Sequence, residues 1–268
     1  MTSVSPGSPG VANATRGPEP VTAIVPAAGV GERLGRGTPK AFATLCGRPM
    51  VAWSLLSLAR SGAVSAVVLV VPPGFEAAVE GAALEAEAGA LPLSVVAGGG
   101  TRQESVRRGL EAVQPGVRFV LCHDAARPLA SPGLFARVLE PLLTGSADGV
   151  VPVAPSPDTV KRVRSGAVVE TLPREEIGLA QTPQGFVSGA LREAHRRAAD
   201  RGPGATDDAM LLESAGYRVA AVPGEGTNFK VTTEEDFARA EAVLRGRGRS
   251  GVPGWDEPGS GAAGSGSS

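Results

Sequence analysis

The sequence predicts an α/β fold: a Rossmann-like, mostly parallel sheet with helices on both faces and a projecting β-arm. Three observations predict it. Short, continuous apolar runs rich in Val recur between residues 21 and 155, and longer amphipathic stretches separate them. Strands that are apolar on both faces belong in a sheet covered from both sides, and alternation with helices makes that sheet parallel. Beyond residue 155 the alternation gives way to two short β-like runs with little apolar surface of their own.

Taken in order, VTAIVP (21–26) reads as the first buried strand. MVAWSLLSLARSG (50–62) reads as a helix, with Pro49 near its first turn and Gly62 as its stop. AVVLVV (66–71) is a second strand, 75–88 an Ala/Glu-rich helix, LSVVAG (93–98) a third strand and TRQESVRRGLEAV (101–113) a third helix. RFVLCHD (118–124) is a fourth strand, followed by a helix over 131–143 and a fifth strand, DGVVPVAP (148–155). TVKRVRSGAVVETL (159–172) places β-like runs on either side of Ser165-Gly166, a hairpin signal. Helices are expected over 188–201 and 205–215, the latter capped by Thr206 with acidic first-turn residues, Asp207 and Asp208 being secondary functional candidates, and a late strand at 217–224. Thr232 and Glu235 have the spacing of a capping box for a final helix over 233–246.

Residues 1–20 and 247–268 are rich in Pro, Gly, Ser and Thr, have no apolar period, and are expected to be disordered. One body, residues 21–246, remains, with the arm at about 156–180. The formal net charge of −1 gives no basic footprint for nucleic acid. No apolar run reaches the length of a membrane span, and no leader of the secretory kind is seen. Cys46 and Cys122 are far apart and lack metal-ligand spacing, which suits a reduced, cytoplasmic protein.

The first strand runs into PAAGVGERLGRGTPK (26–40), a glycine-rich turn whose backbone N–H groups can approach phosphate oxygens. A dinucleotide fingerprint would need glycine where Leu34 stands and an acidic residue about 20 positions on, yet after Glu32 the next is Glu76. A P-loop would need Gly-Lys-Ser/Thr, whereas Lys40 lies between Pro39 and Ala41. What remains is a loop with two cations, Arg33 and Lys40, that suits a triphosphate; alone, it leaves several families open.

Four further segments carry anion donors or a carboxylate. GGGTRQESVRRGL (98–110) permits close backbone approach and puts Arg102 and Ser105 on one helix face. HDAARP (123–128) places Asp124 at a strand's carboxyl end, where Mg²⁺ favours one or two carboxylates plus substrate phosphates. Arg127 is a candidate contact for a phosphate or a partner subunit; His123 reads as structural and His195, among arginines, as part of a solvated face. Asp158, Thr159 and Lys161 begin the arm, Arg174 and Thr182 follow it, and Lys230 precedes the last helix. A second phosphate-bearing substrate would need such donors to hold its oxygen in line with a leaving group.

In this order, PAAGVGERLG…PK, GG-x-x-R-x-x-SV, HDAARP, D-T-V-K, TPQGF, TDDA and NFKVT resemble the 2-C-methyl-D-erythritol 4-phosphate cytidylyltransferases of the non-mevalonate isoprenoid pathway, over residues 21–246. The resemblance implies a nucleotidyltransferase fold and transfer of a cytidylyl group from CTP to 2-C-methyl-D-erythritol 4-phosphate, with release of pyrophosphate and use of Mg²⁺ or another divalent cation. It implies that Arg33 and Lys40 stabilise the transition state and that Arg174 and Lys230 position the alcohol phosphate. Ala27, Ala28, Gly29, Gly99, Gly100, Arg102 and Ser105 would line the cytidine side; Asp124 would sit at the metal, and Ala125 beside it would contact substrate. Thr159 and Thr182 would serve the second substrate. It further implies a homodimer in which the arm embraces the neighbour, so that Thr159, with Arg127 and Arg174, would serve the partner's site. A cytidylyltransferase for another alditol phosphate, such as ribitol 5-phosphate, would share the loop and differ in the arm and TPQGF. A non-catalytic nucleotide-binding module would have no need of Arg33, Lys40, Asp124 and Lys230 together.

Overall fold

A computed structural model describes residues 19–29, 39–79, 91–199 and 205–249. Arg33, residues 80–88 of the expected second helix and nearly all of both terminal segments lie outside the described residues.

Strand β1 (Val21–Pro26) leads, through the small hairpin β2 (Thr44–Leu45) and β3 (Arg48–Pro49), into α1 (Met50–Ser61). Gly62, at φ 60°, ends that helix with its N–H bonded back to the Ala59 carbonyl, the left-handed stop that glycine adopts at little cost. Then come β4 (Ala66–Val71), α2 (Glu76–Val79), β5 (Leu93–Ala97) and α3 (Arg102–Ala112), whose N-cap Thr101 accepts from the Glu104 amide. β6 (Phe119–Cys122), α4 (Pro132–Leu143) and β7 (Gly149–Pro155) complete the alternating part.

β5, β4, β1 and β6 pair side by side, all parallel. Successive residues of β1 point to opposite faces: Val21, Ala23 and Val25 join α1 and α4 in one buried cluster, whereas Ile24 joins α3 in another. Helices therefore cover both faces, as the continuous apolar runs require.

Past β7 the hairpin β8 (Val160–Arg164) and β9 (Ala167–Leu172) forms a sheet of its own, turning at Ser165 and Gly166, both with positive φ. Its Val163, Val168 and Val169 are more than half exposed. Two strands that the sequence reading does not assign follow: β10 (Gly178–Ala180), antiparallel to β7, and β11 (Gln184–Val187), antiparallel to both β6 and β7. Gly185 fits β11 because any Cβ there would stand 2.7 Å from Val138 and 2.9 Å from Leu142. α5 (Ser188–Ala199), α6 (Asp208–Ser214), β12 (Val219–Pro223), parallel to β7, and α7 (Glu234–Arg249) end the described chain.

Three local expectations are corrected. The N-cap of α6 is Asp207, not Thr206: its carboxylate accepts from the Met210 amide. The capping box of α7 is shifted by one residue, to Thr233 and Asp236, with Asp236 also accepting from the Thr232 amide and hydroxyl. Glu235 takes no part in it, and the helix runs to Arg249 rather than 246. No helix among the described residues is long and apolar enough to cross a membrane.

Candidate active site

The carboxyl ends of β1, β4, β5 and β6 meet at one point of the fold. The Ala27 amide donates to the Val70 carbonyl at 2.7 Å, and the Gly98 amide to the Val71 carbonyl at 2.7 Å. The two glycine-bearing loops touch there: a Cβ on Gly98 would lie 2.4 Å from Ala28 Cβ and 2.9 Å from Ser105 Oγ, so only glycine fits. Ser105 Oγ accepts from the Gly99 amide at 3.1 Å and fixes the second loop. The Val231 amide donates to the Ala126 carbonyl, which seats Lys230 beside the end of β6.

Between these segments lies a cavity of about 590 Å³. From the first loop Ala27, Ala28, Gly29 and Lys40 line it; from the second Gly99, Gly100, Arg102 and Ser105 do, and Asp124, Ala125 and Lys230 close it. Lys40 opens a 3₁₀ turn over Lys40–Phe42. Asp124 is the one carboxylate in this lining among the described residues.

Asp124 is held between two cations. Arg102 Nε donates to its Oδ1 at 3.0 Å and Lys230 Nζ to its Oδ2 at 2.8 Å, while its backbone amide donates to Thr182 Oγ1 at 3.0 Å. Burial disfavours the charged carboxylate, but Arg102 and Lys230 outweigh it and hold the Asp124 pKa well below the ordinary range. Arg102 in turn donates through Nη1 to Asp208 Oδ2 at 2.8 Å. Burial opposes the guanidinium charge; the two carboxylates, Asp208 first, more than restore it.

Other expected site residues lie outside the lining. Thr182 is buried, and its hydroxyl serves the Asp124 amide and approaches His123 Nδ1 at 3.3 Å. Arg127 stands outside this lining, with Nη1 and Nη2 donating to the Asn228 and Ala180 carbonyls. Thr159 is exposed at the start of the arm, and Arg174, exposed after β9, pairs with neighbouring Glu175 at 3.4 Å. The arm residues are not brought to this chain's own cavity.

His195 corrects the expectation of a solvated face. It is 3% exposed, with Nε2 3.1 Å from Asp208 Oδ1. The signal was present: His195 follows Leu191 by four positions and Ala194 by one, on the apolar stripe of α5. Asp208 likewise precedes Leu211 and Leu212 by three and four. Asn228, also buried, donates to the Thr182 and Gln181 oxygens and ties the segment before Lys230 to the one behind Asp124.

A glycine-lined cavity at the strand ends, with fixed cations around one carboxylate, on a mostly parallel sheet with a separate β-arm, defines an α/β nucleotidyltransferase. The chain belongs to the 2-C-methyl-D-erythritol 4-phosphate cytidylyltransferase family, whose family model matches residues 21–246. A relative of that name from Streptomyces avermitilis is 45% identical over 236 residues, spanning 84% of this chain and 92% of the relative. One from Thermus thermophilus is 44% identical over 225 residues, 84% of this chain and 97% of its own. The crystal structure of 2-C-methyl-D-erythritol 4-phosphate cytidylyltransferase from Thermus thermophilus superposes with a TM-score of 0.69 at 41% identity, covering 84% of this chain and 99% of that one. The crystal structure of 4-diphosphocytidyl-2C-methyl-D-erythritol synthase from Anaerococcus prevotii gives 0.74 at 28% identity, over 85% of this chain and 100% of that one.

Proposed function

We propose that this chain transfers the cytidylyl group of CTP to 2-C-methyl-D-erythritol 4-phosphate. A phosphate oxygen of the alcohol phosphate attacks the α-phosphorus of CTP. A new P–O bond forms, the bond to the β-phosphate oxygen breaks, and pyrophosphate leaves with its electron pair. The products are 4-diphosphocytidyl-2-C-methyl-D-erythritol and pyrophosphate. The observation that carries this reading is that Lys40, Arg102 and Lys230 converge with Asp124 on one glycine-lined cavity. Charge rises on the α-phosphate as the transition state forms, and pre-placed cations stabilise it without further reorganisation.

Lys40, with Arg33 from the same loop, takes the α-phosphate charge. Ala28, Gly29, Gly99, Gly100 and Ser105 line the cytidine side, where Ser105 Oγ and Glu104 Oε2 hold the Gly99 and Gly100 amides. Lys230 exchanges Asp124 for the incoming alcohol phosphate and holds it in line. A site with one carboxylate fits Mg²⁺ or another divalent cation, which is commonly held by one or two carboxylates plus substrate phosphates. Asp124 would be its protein ligand, and the ion, when bound, would supply charge neutralisation on the triphosphate oxygens.

The second substrate's remaining donors, Thr159 and Arg174, stand on the arm. Exposed Val163, Val168 and Val169 give the arm an apolar surface suited to a second copy of the chain, whose cavity these donors would complete. Cys46 and Cys122 form no disulfide, which suits a reducing, cytoplasmic setting. The test is pyrophosphate release from CTP and Mg²⁺ on addition of 2-C-methyl-D-erythritol 4-phosphate. Release only with the alcohol phosphate supports the reading; no release with it sinks it.

A further inference from the structure

Behind the cavity runs a chain of contacts, His195, Asp208, Arg102, Asp124, Lys230, in which carboxylates and cations alternate from Asp208 to Lys230. Its inner half lies away from solvent, with Asp208 1% and His195 3% exposed at the side chain, while Arg102 reaches the cavity at 26%. Asp208 stands in the first turn of α6 and Arg102 in that of α3, so the contact joins two helices on one face of the sheet to the end of β6.

We infer that Asp208 is a positioning residue for the reaction, acting through Arg102 on Asp124. The inference rests on the reading of the cavity given above. Arg102 is fixed at two points: Nη1 on Asp208 at 2.8 Å and Nε on Asp124 at 3.0 Å. Asp208 is fixed from behind, its other oxygen 3.1 Å from His195 Nε2. Lys230 is the more exposed of the two partners of Asp124, at 43% against 26% for Arg102, and is free to leave for substrate phosphate. Arg102 cannot follow it, because Asp208 tethers it. The carboxylate of Asp124 therefore keeps one orientation through turnover.

Stability alone does not account for this arrangement. Buried ion pairs repay their desolvation poorly, and apolar replacements of similar volume are often as stable or more so. A carboxylate sunk behind Arg102 acquires a use when the far end of the contact chain must stay aimed at phosphates. Groups that orient a ligand-bearing side chain from behind typically change activity by about 10–100-fold when removed.

The test is steady-state kinetics of the full chain with both substrates varied, for Asp208→Asn, Asp208→Glu, Arg102→Lys and the double variant Asp208→Asn/Arg102→Lys, alongside thermal melting. Asp208→Asn is expected to lower kcat by about 10-fold or more while either KM moves by less than about threefold. Asp208→Glu should recover part of that loss. The double variant should fall within about twofold of Arg102→Lys alone, because Asp208 acts through that guanidinium. Losses that multiply, or a kcat for Asp208→Asn within about twofold of wild type, overturn the inference. Should Asp208→Asn fail to fold, His195→Gln takes its place in the same cycle, with a smaller loss in kcat and the same coupling expected; full additivity there overturns it equally. Wild-type protein that transfers no cytidylyl group sinks the assigned reaction, whereas an active wild type with an uncoupled Asp208 sinks only this inference.

Discussion

Lys230 Nζ lies 2.8 Å from Asp124 Oδ2, so the cation assigned to the alcohol phosphate is stored, in the ligand-free chain, on the carboxylate assigned to the metal. On the proposed roles, binding of both substrates is expected to break that pair and give each member a new partner. Lys230→Ala is therefore expected to leave Asp124 with Arg102 alone and the alcohol phosphate without its in-line donor. The catalytic efficiency toward 2-C-methyl-D-erythritol 4-phosphate should fall by about 10²-fold or more, with a much smaller change in KM for CTP. Initial rates with each substrate varied in turn measure both. An unchanged efficiency toward the alcohol phosphate would remove Lys230 from the site.

Lys40 meets the cavity from the opposite loop. Lys40→Ala should lower kcat by about 10²-fold or more, the loss typical of a removed transition-state charge stabiliser, while CTP still binds. Arg33→Ala is expected to behave alike. Single-turnover rates beside calorimetric CTP binding separate the two effects. A Lys40→Ala variant with wild-type kcat would contradict the role given to the loop.

What the sequence revealed and what it hid follow from the range of the interactions. β1, β4, β5 and β7 are continuous apolar runs, and the arm's turn is written in Ser165-Gly166, so local pattern was enough. β10 and β11 are three and four residues long, and β11 carries Gln184 and Gly185; they are strands because β6 and β7 offer them edges, a fact of tertiary pairing. Loop glycines and cations announced the cavity. The contact of Asp208 with Arg102 spans 106 positions in the chain, and no spacing rule reaches that far. Arg127 lies in a telling motif, but the reach of its Nη1 and Nη2 to the Asn228 and Ala180 carbonyls, 101 and 53 positions away, was not legible there.

The arm yields a prediction about assembly. With Thr159 and Arg174 away from this chain's own cavity, a site completed by a second copy must fail when the arm's apolar surface is charged. Val168→Asp is expected to shift the protein from dimer to monomer in sedimentation and to lose most activity. Mixing inactive Lys40→Ala protein with inactive Arg174→Ala protein should restore activity, because some mixed dimers then hold one intact site. No recovery after subunit exchange, with a mixed dimer verified, would place Arg174 at its own chain's cavity.

His123 makes stability depend on pH on the acid side. It is fully buried, its ring edge-on to Phe135 at 5.1 Å, and burial pushes its pKa down to about 4 from the ordinary 6.5. Below pH 6.5 the unfolded chain takes up a proton that the folded chain refuses until about pH 4. The unfolded state thus binds more protons across this window, so stability is highest above pH 6.5 and falls as pH drops toward 4. A shift of this size corresponds to a loss on the order of 3 kcal/mol by the lower end. Urea unfolding at pH 7, 6, 5 and about 4.5 should show that decline, and His123→Gln should flatten it, since glutamine does not titrate. The carboxylates with depressed pKa values, Asp124, Asp208 and Asp236 with Glu104 and Glu193, take up protons in the unfolded chain from about pH 5 downward and add their own decline there, so the histidine's share is read between about pH 5 and 6.5. An equally steep decline in His123→Gln would assign the acid sensitivity to another group.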